Sequence, residues 1–331
     1  MDQTSSSQRF SPRGLIQIPL YAVAVTDPDE EIFLLYTRLA SVKPADGSSM
    51  EPFRGLGYVD SKTDTLSVRL EISPPLSDVA ASPVAKKSSN GRSKKARGKP
   101  KKVEPKVLEI ELFQDGTALR SRKGDTGSVL WRASVEFAQL FLLQYHFPDS
   151  CTLFNPESIM KAHIIELGAG TGLLSVVLGP LVRRYTSTDL PDLIPLIRKN
   201  ISHIPAKPSS SLTPHTIRAE ALDWTLPADR QLSSSVLSDP PDLILVVDCI
   251  YHPSLVTPLI DTLTSLAVPH HTSVIVVAEL RAEDVMTAFI EGWVSRDGWR
   301  VWNVGGEQTD GIMGPRYGIW VGWRENHSFE E

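Results

Sequence analysis

The stretch His163-Ile164-Ile165-Glu166-Leu167-Gly168-Ala169-Gly170-Thr171-Gly172-Leu173, followed by Tyr185-Thr186-Ser187-Thr188-Asp189, decides the fold. A short apolar run reads as a buried strand, the glycine-rich segment as a tight turn, and Leu173 onward as the start of a helix. Glycines let the backbone pass close to a ligand at the carboxyl end of a sheet, where open α/β folds bind theirs. Asp189 closes the next strand about 20 residues on, where a carboxylate can accept both hydroxyls of a ribose.

Two ligands compete for such a site. A nicotinamide dinucleotide is disfavoured because the glycines run G-x-G-x-G rather than G-x-G-x-x-G. Glu166 also puts a carboxylate near the place of a pyrophosphate, which suits a ligand bearing an ammonium and a sulfonium instead. The competing reading of Glu166 is a satisfied buried carboxylate. Asp223-Trp224 follows the third strand, where an aromatic side chain can stack on an adenine. Trp131, preceded by Gly127, is a further candidate, with an ordinary core tryptophan as the alternative.

Outward from this unit the chain alternates between apolar strands and helices. Strands are predicted at 163–167, 185–188, 216–221, 243–247, 273–279, 299–304 and 319–323, and helices at 128–145, 173–182, 193–201, 254–266 and 282–295. The fold class is therefore α/β: a Rossmann-like, seven-stranded, mainly parallel sheet covered on both faces. The last two strands are joined by Gly305–Gly318 without an obvious helix, which predicts an antiparallel pair.

Three segments are expected: a β-rich amino-terminal extension over 1–72, a basic insertion over 73–106 and the catalytic domain over 107–327. In the extension, Leu15–Ile18, Ile32–Tyr36 and Leu66–Leu70 read as short strands. The insertion is rich in Pro, Ser, Gly, Lys and Arg, and such a composition does not repay its ordering entropy. Val107–Phe113 alternates like a strand that resumes the fold.

The net charge of −5 conceals an asymmetry, for Lys86 to Lys106 carry about +9 and the remainder about −14. A contact with nucleic acid would have to come from this one segment. It reads as a solvated linker, a nuclear localisation signal or a tether to an acidic surface such as ribosomal RNA. Cys151 and Cys249 are the only cysteines, with no CxxC pair and no histidine cluster, so neither a disulfide framework nor a metal site is expected. The polar start and the lack of an apolar run of about 20 residues predict an intracellular protein without a membrane span.

Asp248-Cys249-Ile250-Tyr251 follows the fourth strand directly. Transfer of a group from a sulfonium needs an in-line nucleophile, and an amine that arrives as a cation must first lose a proton. Asp248 can orient an incoming cation and Tyr251 can pack on its stem. The alternative is that Asp248 caps the next helix. Asp239-Pro240-Pro241-Asp242 looks like an adenine-methylase motif, but it precedes the strand and reads as a turn. His252 reads as exposed.

Gly127 to Trp131, IIELGAGTGL, TSTDLPDLIPLIRKNI, LDWT and DLILVVDCIY together resemble the seven-β-strand protein lysine methyltransferases of the family-16 group. The carboxyl-terminal tail and long lead resemble its fungal ribosomal lysine N-methyltransferase 5 branch. The resemblance implies S-adenosyl-L-methionine as cofactor, held by residues matching Trp131, Gly168, Ala169, Gly170, Asp189, Trp224 and Val247. It also implies a large-subunit ribosomal protein as substrate and a cytoplasmic location, the nucleus being a second compartment. A monomer is expected. Rival readings are a methyltransferase of small amines or RNA, and a non-catalytic ribosome-binding protein with this fold.

Overall fold

The computed structural model describes residues 9–41, 57–73, 105–121, 126–148, 153–204, 216–305 and 313–325. Most of the basic insertion lies outside the described residues. The sheet is built from β1 (His163–Leu167), β2 (Arg184–Asp189), β3 (Thr216–Ala221), β4 (Leu243–Val247), β5 (Ser273–Glu279), β6 (Trp299–Asn303) and β7 (Tyr317–Arg324). Their order is β6-β7-β5-β4-β1-β2-β3, and a two-residue strand, Val23–Ala24, adds an eighth member beyond β6. The five strands from β1 to β5 run parallel, while β7 is inserted antiparallel between β5 and β6. The expected antiparallel pair at the end of the chain is present. Its last strand, however, is internal, which lets all seven apolar-to-aromatic positions from Tyr317 to Trp323 be buried.

The near-continuous apolar strands place alternate side chains on opposite faces. Ile164, Leu243, Leu245 and Ile275 join one core, beneath helices α1 (Arg132–His146) and α2 (Leu173–Leu178). Ile165, Ile244, Val246 and Val276 join the other, beneath α4 (Pro253–Leu266) and α5 (Glu283–Val294). Helix α3 (Ile194–Ser202) covers the outer strands through Ile194 and Ile197, which pack with Ala219. The strand order reverses between β1 and β4, and the crevice at such a switch point is the usual ligand position in open α/β sheets.

Two expectations need correction. Ile32–Tyr36 is not a strand but part of the helix Pro28–Ser41. Asp27 caps it, its Oδ1 accepting from Asp29 N and Glu30 N at 3.0 and 3.2 Å, and proline with three acids opens the first turn. Ile32 and Leu35 then form the helical face that packs into the α4–α5 core, leaving Phe33 and Leu34 exposed. Helix α1 likewise begins at Arg132 rather than Ser128, since Trp131 is extended and bridges Tyr58. Leu130 N donates to the side chain of Gln114 at 3.1 Å, which holds the segment straight.

Thr65–Ile72 and Lys106–Phe113 pair antiparallel along eight residues each. Val68, Leu70, Ile110 and Leu112 enter the same core as α1, together with Leu15, Ile16 and Ile18 from the lead. The amino-terminal region therefore shares its core with the main sheet. Glu31 on the lead helix ties the two together, accepting from Trp320 Nε1 at 2.7 Å and Asn303 Nδ2 at 2.5 Å.

Candidate active site

The carboxyl ends of β1, β2 and β4 open into a cavity of about 830 Å³, within the size range of small-molecule sites. Gly168, Ala169, Gly170, Asp189, Trp131, Trp224, Val247, Asp248 and Tyr251 all line it. These residues span more than one hundred positions in sequence, and the parallel strands bring them to one rim.

The glycine turn is built by close backbone approach. Gly168 and Gly170 have φ of +70° and +56°, a region that disfavours any other residue. A Cβ on Gly170 would lie 3.0 Å from the carbonyl oxygen of Gly127, so the segment before α1 crosses directly over the turn. A Cβ on Gly168 would strike Cys249 Sγ at 2.5 Å and approach Trp224 at 3.3 Å. Asp189 is tied to this turn: its Oδ2 accepts from Gly170 N and its Oδ1 from Leu190 N, both at 2.7 Å. The carboxylate is thus fixed at the lip of the cavity.

Trp131 donates its indole N–H to Thr126 O at 2.7 Å and meets Tyr58 edge-on at 6.2 Å between ring centroids. Trp224 borders the other side, and its buried Nε1 has no acceptor among the described residues. Val247 ends β4 as part of the cavity floor.

Glu166 is the exception among the expected ligand-side residues. It lies beneath the turn, 3 % exposed, and is absent from the cavity lining. Tyr185 Oη donates to its Oε2 at 2.9 Å. Burial raises its pKa to about 8, with the Tyr185 hydrogen bond opposing and the Asp189 charge adding to the rise. Its carboxyl is therefore mainly protonated at pH 7, and the formal charge at the turn comes from Asp189. The alternative reading, a satisfied buried carboxylate, describes this placement.

Asp248 has φ of +63°, uncommon for a non-glycine residue and placed at a strand end beside the cavity. Its N–H continues the ladder to Val277 O at 2.7 Å. Its carboxylate takes a two-pronged contact from Arg281, Nη1 to Oδ1 and Nη2 to Oδ2, both at 2.7 Å. Nη2 also reaches Glu279 Oε2 at 2.6 Å. Burial acts to lower the Arg281 pKa, but the hydrogen bond and charge of Asp248 and the charge of Glu279 outweigh it, so the group is raised. Asp248 is not the cap of α4, for that position belongs to the exposed His252, whose ring nitrogen accepts from Ser254 N at 3.3 Å. Tyr251 remains 39 % exposed at the mouth.

Arg281, Tyr58, Thr126 and Leu193 line the cavity too and escaped the sequence reading. Arg281 carried a usable signal, a charge two residues past the buried strand Ser273–Glu279, at the carboxyl ends of the strands where ligands bind. Tyr58 carried none, because its place depends on the long-range bridge to Trp131. Cys249 borders the cavity, but burial first, and the charges of Asp189 and Asp248 next, raise its thiol well above the usual range, which disfavours the thiolate form. Asp239 and Asp242 lie at the amino ends of the central strands, opposite the cavity. There Asp239 pairs with Arg183 at 2.8 Å and Asp242 Oδ2 accepts from His163 N at 2.7 Å.

This chemistry fits S-adenosyl-L-methionine. The glycine pair leaves backbone room, Asp189 offers a fixed carboxylate for a diol, and Trp224 offers an aromatic edge with an unpaired donor.

Residues 114–293 match the profile described as lysine methyltransferase. Over 185 residues the chain is 31% identical to the diaminohydroxyphosphoribosylamino-pyrimidine deaminase of Schizosaccharomyces pombe, covering 55% of this chain but only 41% of that protein. It is 26% identical over 339 residues to ribosomal lysine N-methyltransferase 5 of Candida glabrata, covering 83% of this chain and 92% of that protein. Against EEF1A lysine methyltransferase 3 of Xenopus tropicalis it is 32% identical, covering 51% of this chain and 66% of that protein. The matched profile spans more than half of the sequence and takes in the glycine turn, Asp189, Trp224 and the Asp248–Tyr251 segment: the chain belongs to the lysine methyltransferase family, with S-adenosyl-L-methionine as its methyl donor.

Proposed function

We propose that the protein methylates the side-chain amine of a lysine in a ribosomal protein of the large subunit. The observation that carries this reading is the single cavity shared by the glycine turn with Asp189 and by Asp248 with Tyr251. A donor held at the first set would face an amine admitted past the second. The ribosomal target rests on the C. glabrata relative, whose likeness extends over most of both chains.

In this reading Gly168, Ala169, Gly170, Asp189, Trp131, Trp224 and Val247 hold the cofactor. When bound there, S-adenosyl-L-methionine would supply a sulfonium-activated methyl group to the amine nitrogen, the electron pair of the broken carbon–sulfur bond being left on sulfur. Asp248 holds the arriving ammonium in line and Tyr251 packs on the aliphatic stem. Apolar walls from Val129, Leu193 and Val247 exclude water from the amine; this burial opposes the Asp248 carboxylate, which favours the ammonium, and the proton leaves to solvent before the nitrogen attacks. Glu166 acts from below, keeping the turn in place through Tyr185.

We further assign residues 73–106 to an insertion carried at the end of the Thr65–Ile72 and Lys106–Phe113 hairpin, with 1–72 as the lead and 107–327 as the catalytic domain. The insertion's positive charge suits a contact with ribosomal RNA. The protein works in the cytoplasm, with access to the nucleus, as a monomer.

Incubating the full chain with methyl-labelled cofactor and ribosomes from a strain lacking the gene tests the reading. The expected result is a gain of one to three methyl masses on a single large-subunit protein, located on lysine. Label entering RNA or small amines would overturn the target, and no transfer at all would favour a non-catalytic binding role.

A further inference from the structure

The guanidinium of Arg281 sits in a seat with unusual walls. Asp248 and Glu279 supply carboxylates that are 2% and 6% exposed, while Arg281 itself is 27% exposed. The indole of Trp131 lies 5.1 Å from the guanidinium carbon, a cation–π distance. The backbone closes the seat at Gly57, where a Cβ would lie 2.5 Å from Nη2. Among the described residues, Arg281 is the one cation ion-paired to either carboxylate. Behind them, Arg316 and Arg132 act on Glu136, which also feels the Glu279 charge. The seat opens on the cavity through Trp131, Asp248 and Arg281.

Each of these walls would suit a lysine ammonium as well as a guanidinium. The buried carboxylate wants a positive charge, the indole face accepts one, and the partly exposed arginine has a path to solvent. We infer that Arg281 occupies the cation seat of the substrate lysine and that the arriving ammonium displaces it from Asp248, with Glu279 retaining the freed guanidinium. This rests on the reading of a lysine acceptor given above. The occupant makes Arg281 a specificity-determining residue. Breaking a two-pronged charged contact is repaid only by another cation, so water, hydroxyls and neutral amides are refused the seat.

The test uses the full chain loaded with S-adenosylhomocysteine and n-butylammonium as a probe of the lysine side chain, with n-butanol as the neutral control. In wild-type protein labelled with nitrogen-15 arginine, butylammonium should shift the Arg281 Nε–Hε resonance, assigned by its loss in Arg281→Lys, and butanol should not. Arg281→Met should bind butylammonium roughly tenfold more tightly, since its seat is no longer occupied, and methylguanidinium should compete for the emptied seat. An Arg281 resonance unmoved by butylammonium would overturn the inference, as would an Arg281→Met affinity no better than wild type. If Arg281→Met does not fold, the wild-type titration decides alone. Ribosomal protein methylation with probe affinities unchanged would sink this inference and leave the lysine reading standing. Displacement of Arg281 without any protein methylation would do the reverse.

Discussion

Asn200 grips both backbone polar groups of Phe113: its Oδ1 accepts from Phe113 N and its Nδ2 donates to Phe113 O, each at 2.8 Å. The same Nδ2 donates to Thr171 O in the glycine turn at 2.8 Å. One buried side chain on α3 thereby joins the last residue of the hairpin to the cofactor turn. The next residue, Gln114, passes the connection on by donating to Asp60 O and Thr63 O at 2.6 Å. Replacing Asn200 with Ala should cost about 3 kcal/mol, since buried backbone groups lose their partners. Denaturant unfolding measures this, and a loss under about 0.5 kcal/mol would mean that the hairpin and turn stand independently.

Asp189→Asn should weaken cofactor binding roughly tenfold to a hundredfold, as expected for losing charge-assisted hydrogen bonds to hydroxyls. Titration calorimetry reads this directly. Asparagine keeps one oxygen for Gly170 N or Leu190 N and leaves the other N–H without its acceptor, so the melting temperature should fall by a few degrees, for a loss of about 1 kcal/mol. Unchanged affinity would remove Asp189 from the ribose contact.

Asp248 calls for asparagine rather than alanine, because its φ of +63° is tolerated by Asn. Asp248→Asn should lower turnover about a hundredfold or more, with cofactor affinity within about twofold. Turnover near wild type would remove Asp248 from the lysine site. A large loss of cofactor affinity would instead mean that the Arg281 contact supports the cofactor wall.

Glu166 should make stability pH-dependent. Its pKa is raised from 4.5 to about 8 in the fold, so the folded state holds a proton that the unfolded chain gives up. The contribution is fully present below pH 4.5 and is lost as pH rises toward 8. Glu166→Gln, which mimics the protonated form, should therefore hold its melting temperature better than wild type between pH 5 and pH 8. Parallel curves for the two proteins would show that Glu166 is ionised in the fold.

The helix Pro28–Ser41 shows where local reading failed and why. Ile32-Phe33-Leu34-Leu35-Tyr36 looks like a strand when taken as an apolar run. Asp27, Pro28 and the acids Asp29 to Glu31 are helix-start features that outweigh it, and Ile32 and Leu35 lie three apart on one helical face. That information is local and lies in the chain itself. Arg281 is a different case, since nothing near it in sequence names Asp248 as its partner.

By itself, the sequence determined the parallel sheet, the glycine turn and the line of candidate residues at the strand ends, because these depend on periodicity and short-range backbone needs. Gly168, Gly170 and Asp189 stand where strand-and-turn logic puts them. Only the tertiary structure decided that Glu166 is shut beneath the turn with Tyr185 and that Asp248 is already paired with Arg281. Tertiary structure also put Gly57 and Tyr58 over the cavity wall. Burial and charge pairing depend on which distant segments meet, and the sheet order and the lead's return onto it settle that.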